Sequence, residues 1–302
     1  MALPGAPGTG AEGVATLELE EAAARCGECG AELYLDADPG LFKCAPCETR
    51  GAAVGERGTA VLGDGAFVNF YNDDWLDGAQ SDDFKAIEAE CRWQCAQDAV
   101  ALGDACSTVS QPRLIAYEAS GLALLRPYSY PGLVAALEPA PFAAAIERLR
   151  HRVEFAVFGA DKGFFNAAHL NLYRSGADHV SWHTDEDVPL YGDRPIIASV
   201  SLGAPRDFVL RRCVVPGDMV AFTLPGGALL VMHGATQTHW THSVRKAQGA
   251  AGARINVTFR RVLPADAAAA DADGAAAAAD AALERLGCMP MRSYALKRAE
   301  AA

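Results

Sequence analysis

The sequence reads as mainly β with flanking helices, its core a sandwich or barrel, and a small cysteine-rich module ahead of it. Three observations point there. The second half holds a series of short strand-like segments: "AHLNLYR", "VSWHTD", "PIIASVSLG", "DFVLRRC", "DMVAFTLPGGALLVM", "THWTHSV" and "RINVTFRRV". Gly, Pro, Asp and Asn turns separate them, and many short strands at even spacing suggest a sandwich or barrel. Two longer segments before them read as helices instead. Near the N-terminus, four cysteines stand in two Cys-x2-Cys pairs.

Taken in order, residues 1–16 are Gly, Ala and Pro without periodicity, and disorder is expected through residue 22. Residues 23–50 carry Cys26-x2-Cys29, fourteen intervening residues and Cys44-x2-Cys47. Each Cys-x2-Cys turn can aim two thiolates at one tetrahedral ion, so a zinc-ribbon-like module with a structural Zn(II) is expected. Between the pairs, "AELYLDADPGLFK" looks like a short hairpin turning at "ADPG". "GAAVGERG" begins a Gly-rich linker over 51–59. "SDDFKAIEAECRWQCAQDAVAL" (81–102) reads as a helix, with Ser81 as N-cap and Asp82 and Asp83 in its first turn. On that helix Cys91 and Cys95 would be core residues rather than a second metal site. "PFAAAIERLRHRVEFAVFG" (141–159) reads as a second helix, with Ile146, Leu149 and Val153 on one stripe. One large domain is expected over 60–264, and an Ala- and Asp-rich tail occupies 265–302.

Composition excludes little but redirects some expectations. The chain has 302 residues and is 51% hydrophobic, enough for a sizeable core. No run of about 18 apolar residues appears, and the N-terminus has no basic segment followed by an apolar one. A soluble intracellular protein, nuclear or cytoplasmic and without a membrane partner, is the expectation; some organelle addresses escape such a reading. The nine cysteines are odd in number, against a disulfide framework. Net charge is −12, which looks unfavourable for a nucleic-acid binder. Its distribution matters more. Residues 1–50 carry a net of −6 and residues 71–104 a net of −7, whereas residues 105–264 hold sixteen bases and twelve acids, a net of +4.

The chemistry concentrates in that basic region. "SWHTDED" supplies His183 and Asp185, which share a face on a strand because side chains alternate with period two. Fifty-seven residues beyond Asp185, "THWTHS" offers His239 and His242. Two histidines and a carboxylate form a facial triad that leaves iron positions open for a co-substrate and oxygen. In "RINVTFRR", Arg254, Asn256, Thr258 and Arg260 point one way and Ile255, Val257 and Phe259 the other. From that stretch alone the polar face is either wet or grips a small dicarboxylate, whose geometry an arginine fork matches.

Together, "LNLYRSGADHVSWHTDED", "IIASVSLGAPRDFVLRR", "THWTHSV" and "RINVTFR" resemble the AlkB family of Fe(II)/2-oxoglutarate-dependent nucleic-acid dealkylases. The resemblance covers roughly residues 60–264 and is dense over 164–261. It implies a double-stranded β-helix, or jelly-roll, core. It assigns iron to His183, Asp185 and His242, with His239 the weaker candidate. It assigns 2-oxoglutarate to Asn171, Tyr173, Arg254, Asn256 and Arg260, with Thr258 on the same inward face. The cofactors implied are Fe(II), 2-oxoglutarate and O2, and the partner is alkylated DNA or RNA. The reaction implied is oxidative removal of an N-methyl group from N1 of adenine or N3 of cytosine, giving formaldehyde and succinate. Such a base must be single-stranded or flipped out of the stack.

Substrate contacts carry over with less detail. Asp187 stands where the family has a base-reading acid, and Tyr128 and Tyr130 of "RPYSYPG" stand where it has a lid. Arg206, Arg211 and Arg212 are candidate phosphate ligands, the last two reading more readily, taken singly, as solvated surface charge. Trp182 adjoins a ligand and reads as support or as core. "PRLIAYEASG" begins like the family's "PR…YGD", but Glu118-Ala119 replaces Gly-Asp. Two alternatives stand beside the demethylase: an oxygenase of protein or lipid on the same iron core, and a zinc-ribbon binding protein with a vestigial core. The module could bind nucleic acid or protein, and a monomer is expected.

Overall fold

The computed structural model describes residues 34–35, 42–43, 58–71, 73–76, 78–102, 105–130, 132–214, 219–247 and 251–264. In chain order the elements are β1 (Tyr34–Leu35), β2 (Phe42–Lys43), β3 (Gly58–Gly63), β4 (Ala66–Tyr71), α1 (Gln80–Glu90), β5 (Gln97–Leu102), β6 (Ala105–Ser110) and β7 (Leu114–Ala119). Then come β8 (Ala140–Pro141), α2 (Ala144–Phe158), β9 (Ala167–Tyr173), β10 (Val180–His183), α3 (Val188–Tyr191), β11 (Ile197–Gly203) and β12 (Arg206–Arg212). The described elements end with β13 (Met219–Leu224), β14 (Leu229–Gly234), α4 (Thr236–His239), β15 (Trp240–Val244) and β16 (Arg254–Arg260).

Two sheets make a β-sandwich consistent with an oxygenase jelly roll. The major sheet has eight strands in the order β3-β4-β14-β11-β16-β9-β7-β8, and the minor sheet four in the order β10-β15-β12-β13. Separate small sheets are β5-β6 and β1-β2. The β1–β2 pair matches Tyr34 to Lys43 antiparallel, as expected for the hairpin between the cysteine pairs. Cys26, Cys29, Cys44 and Cys47 lie outside the described residues, as do the expected disordered segment and the Ala-rich tail.

All seven residues of β16 are buried, which the alternation of the strand explains. Ile255, Val257 and Phe259 face a cluster with Ile87 of α1 and Ile146, Leu149 and Val153 of α2, so the two helices cover the outer face of the major sheet. The second cluster contains Phe70, Leu230 and Met232 of the major sheet with Phe208, Leu210 and Phe222 of the minor one. The polar side of β16 therefore faces the other sheet, between layers, and not solvent.

The second helix matches its expected stripe and stops at Gly159, whose φ of 71° permits the left-handed turn. The first is shorter than expected. It begins at Gln80, so Ser81 is inside it rather than the cap, and it ends at Cys91 with extended backbone. Gln94 then exchanges backbone hydrogen bonds with Ile115, and residues 97–102 form β5 against β6. Sheet pairing has overridden a pattern that local reading extends as helix, so Cys91 and Cys95 do not share a helix face. The "DMVAFTLPGGALLVM" segment is two strands, broken at Pro225 to Gly227. In "THWTHSV", one turn of α4 precedes β15. Strands β3 and β4 have no counterpart among the segments expected from the sequence, and β3 begins at Gly58, inside the expected linker.

Gly203 ends β11 opposite Arg254, at φ +88°. A Cβ there would sit 2.5 Å from the Ala253 carbonyl oxygen and 2.9 Å from the Phe84 ring. Both the backbone region and the close approach need glycine. Gly203→Ala is expected to cost more than about 1 kcal/mol, read by urea denaturation.

Candidate metal and co-substrate site

Antiparallel pairing brings the triad together. On β10, His183 stands opposite His242 of β15 across an irregular stretch of the ladder. Asp185 follows two residues after His183, and its amide N–H donates to Gln237 Oε1 at 2.8 Å. The candidate ligand atoms of His183, Asp185 and His242 lie within 4.8 Å of one another. Asp185 Oδ1 is 3.9 Å from His183 Nε2, and Asp185 Oδ2 is 3.5 Å from His242 Nε2. His183 Nδ1 is 2.8 Å from the Ser181 carbonyl, which can only accept, so Nδ1 carries the proton and Nε2 presents a lone pair to the triad centre.

The electrostatics support a cation there. Burial alone would raise the Asp185 carboxyl, but the Arg260 guanidinium and both histidines hold it well below the usual carboxylate range. Desolvation in the cleft, with His242 beside it, lowers His183 to about 4. Neutral imidazole beside an ionised carboxylate is the protonation state that metal ligation requires.

Beyond the triad, the polar face of β16 continues the site. Arg260 Nη2 donates to Asp185 Oδ1 at 2.7 Å and Nη1 to the Tyr191 hydroxyl at 3.2 Å. Asn256 Nδ2 donates to Ser199 Oγ at 2.7 Å and to the Val200 carbonyl at 3.0 Å. Thr258 Oγ1 donates to Asn256 Oδ1 at 3.1 Å. Arg254, 1% exposed, is different. Its Nη2 donates to Ser201 Oγ at 2.8 Å, but Nε and Nη1 have no partner among the described residues. Burial depresses its pKa to about 10. A buried guanidinium with two unused donors and no carboxylate fits an anionic ligand. Tyr173 lies beneath it, with 5.2 Å between the guanidinium carbon and the ring centre. Asn171 stands opposite Asn256 on β9 and accepts from Arg113 Nε at 2.7 Å.

These groups line a cleft of about 320 Å³. His183, Asp185, His242, Asn171, Tyr173, Asn256 and Arg260 line it, with Tyr128 and Tyr130 also contributing to its wall. Arg254 sits behind Tyr173, outside that lining. Tyr128 packs 4.7 Å from the His169 ring and 5.9 Å from the Tyr130 ring. Tyr130 OH donates to Asp98 Oδ1 at 2.6 Å; burial and that bond both raise its pKa, so it keeps its proton.

Several expected contacts sit elsewhere. Asp187 is not part of the cleft lining; its Oδ1 accepts from the Leu190 N–H at 3.1 Å and caps α3. Arg206 is 3% exposed and donates to the carbonyls of Ser175, Asp178 and Arg245, so it braces loops instead of offering donors to a phosphate. Arg212 pairs with Asp64. Arg211 lies 4.3 Å over the Trp182 ring at the cleft's edge. His239 is in α4, outside the triad. Glu118 is in β7 and accepts from the Ala143 N–H at 2.8 Å beside the start of α2, which accounts for an acid at this departure from the family pattern. Arg113, His169, Tyr191, Gln237 and Asp98 had no assigned role in the sequence reading. Only His169 carried a usable signal, sharing the β9 face with Asn171 two residues on.

Residues 66–260 match the 2OG-Fe(II) oxygenase superfamily model. The chain belongs to that superfamily, whose chemistry uses Fe(II), 2-oxoglutarate and O2. Among curated relatives, it is 38% identical to human "Alpha-ketoglutarate-dependent dioxygenase alkB homolog 3" over 167 residues, 52% of this chain and 54% of that protein. It is 39% identical to Bos taurus "DNA oxidative demethylase ALKBH2" over 144 residues, 45% of this chain and 49% of that protein. The Arabidopsis thaliana protein of the same name is 41% identical over 121 residues, 33% of this chain and 38% of its own. The chain thus spans about half the length of the first two relatives. No helix among the described residues is long and apolar enough to cross a membrane.

Two outcomes test this site. Asp185→Asn leaves Arg260 buried without its counter-charge, so the metal-free protein should lose about 3–5 kcal/mol in urea denaturation. His183 has a folded pKa near 4 against an ordinary 6.5, so the unfolded chain binds the proton first. Its contribution is intact above pH 6.5 and lost as pH falls towards 4. The metal-free protein should lose stability over that window, and His183→Ala should flatten part of the loss.

Proposed function

We propose that the protein is an Fe(II)/2-oxoglutarate-dependent demethylase that removes N-methyl groups from DNA or RNA bases, of the N1-methyladenine and N3-methylcytosine type. The observation that carries the reading is the buried polar face of β16. It places one guanidinium on a triad carboxylate and leaves another with two unused donors deeper in the fold. The names of the relatives support the substrate class.

His183, Asp185 and His242 would hold the iron. Arg254 would take the distal carboxylate of 2-oxoglutarate, with Asn171, Tyr173, Asn256 and Arg260 enclosing the rest. When bound, iron with 2-oxoglutarate and oxygen supplies the oxidising power that hydroxylates the N-methyl group; succinate, carbon dioxide and, from the hydroxymethylated base, formaldehyde result. The chain's own contributions are positional. Arg260 keeps Asp185 ionised, and Ser181 fixes the His183 tautomer. The apolar walls of Phe208 and Met232 line the inner cleft and exclude water. Tyr128 and Tyr130 would stack on an extruded base, which fits one ring at a time. Zn(II) on Cys26, Cys29, Cys44 and Cys47 belongs to the same proposal, as a structural ion.

The test is turnover of matched DNA and RNA oligonucleotides, each with one N1-methyladenine or N3-methylcytosine, in Fe(II), ascorbate and 2-oxoglutarate. Repaired base and formaldehyde should appear with the wild type and not with His183→Ala. Succinate without repaired base on every oligonucleotide would remove the nucleic-acid assignment. A second measurement isolates Arg254. Replacing an unpaired buried charge by an apolar side chain is neutral or stabilising. Arg254→Met should therefore hold or raise the melting temperature without 2-oxoglutarate, and abolish the rise that 2-oxoglutarate gives the wild type.

A further inference from the structure

A 3-10 turn, Gly121–Leu125, follows β7 and has the sequence GLALL. Side chains three apart eclipse in such a turn, so Leu122 and Leu125 share one side. Ala123 is buried, in a cluster with Leu190, Tyr191 and Val262. The leucines are not: Leu122 is 42%, Leu124 37% and Leu125 82% exposed. A single exposed leucine is ordinary on a protein surface, but three within five residues make an apolar patch that a covering segment would remove from water.

The end of the described chain is held beside this turn. After β16, the Val262 N–H donates to Asn166 Oδ1 at 2.7 Å, and the Val262 carbonyl accepts from Asn166 Nδ2 at 2.9 Å. The Leu263 N–H donates to the Leu190 carbonyl at 2.9 Å, and the Leu263 carbonyl accepts from Arg126 Nη1 at 3.4 Å. Arg126 directly follows Leu125 in sequence. The residues beyond 264 therefore begin at a point fixed against the leucine turn. Residues 265–280 contain only Ala, Asp and Gly, and the first large apolar side chains come next, in "AALERLGCMPM" (281–291). Sixteen residues reach about 20 Å even as a random coil, which keeps 281–291 near the turn at a local concentration on the order of millimolar. The N-terminal segment joins the fold farther off. It enters at β3, at one edge of the major sheet, and β7 lies near the opposite edge, about 30 Å across the strands.

We infer that residues 281–291 of the same chain dock on the leucine turn, covering Leu122 and Leu125 with Leu283 and Leu286. Glu284, between those two leucines in sequence, brings a carboxylate opposite in charge to Arg126. The contact does not need high affinity, because the connection through 265–280 supplies the local concentration and a small apolar surface is then enough. Met289 and Met291 suit the edge of the patch, since an unbranched thioether fits an irregular apolar surface. The turn runs directly into the segment with Tyr128 and Tyr130, so the docked residues adjoin the tyrosine wall of the cleft.

The experiment keeps the full chain. Hydrogen exchange read by mass spectrometry compares the wild type with two double variants, Leu122→Ser with Leu125→Ser, and Leu283→Ser with Leu286→Ser. Each should speed exchange in both 121–126 and 281–291 by about two- to tenfold, because removing either side frees the other. Leu122 and Leu125 are exposed, so their replacement should leave exchange in β9 and β16 unchanged. A second measurement identifies the occupant. Leu125→Cys, oxidised mildly at low protein concentration, should form a disulfide with Cys288 of the same chain, found by peptide mapping and lost with Cys288→Ser. Exchange that changes only on the substituted side would overturn the inference. A disulfide from Leu125→Cys to Cys26, Cys29, Cys44 or Cys47 would put the N-terminal segment on the turn and overturn it as well. So would a wild type that is dimeric by light scattering and becomes monomeric with Leu122→Ser and Leu125→Ser, since a second copy would then cover the patch.

Discussion

The ion pair between Arg260 and Asp185 is the interaction on which the rest of the site depends. A guanidinium and a carboxylate buried between two sheets would each be costly alone, and together they compensate only with good geometry. The geometry here is good, at 2.7 Å, with Tyr191 taking a second nitrogen. The pair joins the two parts of the site. Arg260 belongs to β16, in the major sheet, whereas Asp185 follows β10, at the edge of the minor sheet. Asp185 is thereby held as an anion beside His183 and His242, the two histidines set by strand pairing and the carboxylate by its bonds to Arg260 and Gln237.

The same strand shows why the interior is so polar. With side chains alternating, burying both faces of β16 leaves four polar residues to satisfy. Ser199 and Ser201 of β11 meet Asn256 and Arg254, because β11 pairs with β16 in a register that sets Ser201 opposite Asn256. Those serines replace the apolar residues that a sandwich interior would otherwise carry. What they do not satisfy is the outer part of Arg254. Arg260 has a carboxylate partner and Arg254, among the described residues, has none, an imbalance that a fully matched polar core would not show.

Much of this was legible in the sequence, because it depends on local alternation. His183 with Asp185, the face of β16, the hydrophobic stripe of α2 and the strands of the second half all follow from period-two or helical patterns. The failures have a common cause in pairing between distant segments. Residues 91–102 carry a plausible helix pattern, yet backbone bonds to Ile115 and to β6 draw them into extended structure. Asp187 and Arg206 have partners that local patterns do not reveal, the start of α3 for the one and three loop carbonyls for the other. No pattern in a single sequence says which polar partner reaches a side chain first. The motif spacing located the site, and the competition for hydrogen bonds decided its edge.

That distinction divides the cleft into two regimes. The inner part is built on central strands of a twelve-stranded sandwich, where each polar residue has neighbours fixed by register. The rim is built from the β5–β6 hairpin and the segment carrying Tyr128 and Tyr130, joined to each other by a few backbone bonds and by the Asp98, Gln111 and Tyr130 contacts. A substitution inside disturbs the sheet that holds the ligands, so the oxidative chemistry and the fold are constrained together. At the rim, a change of one side chain alters what the cleft accepts while the triad and β16 stay in place. The shape and charge of the rim are therefore what this architecture leaves most free to vary.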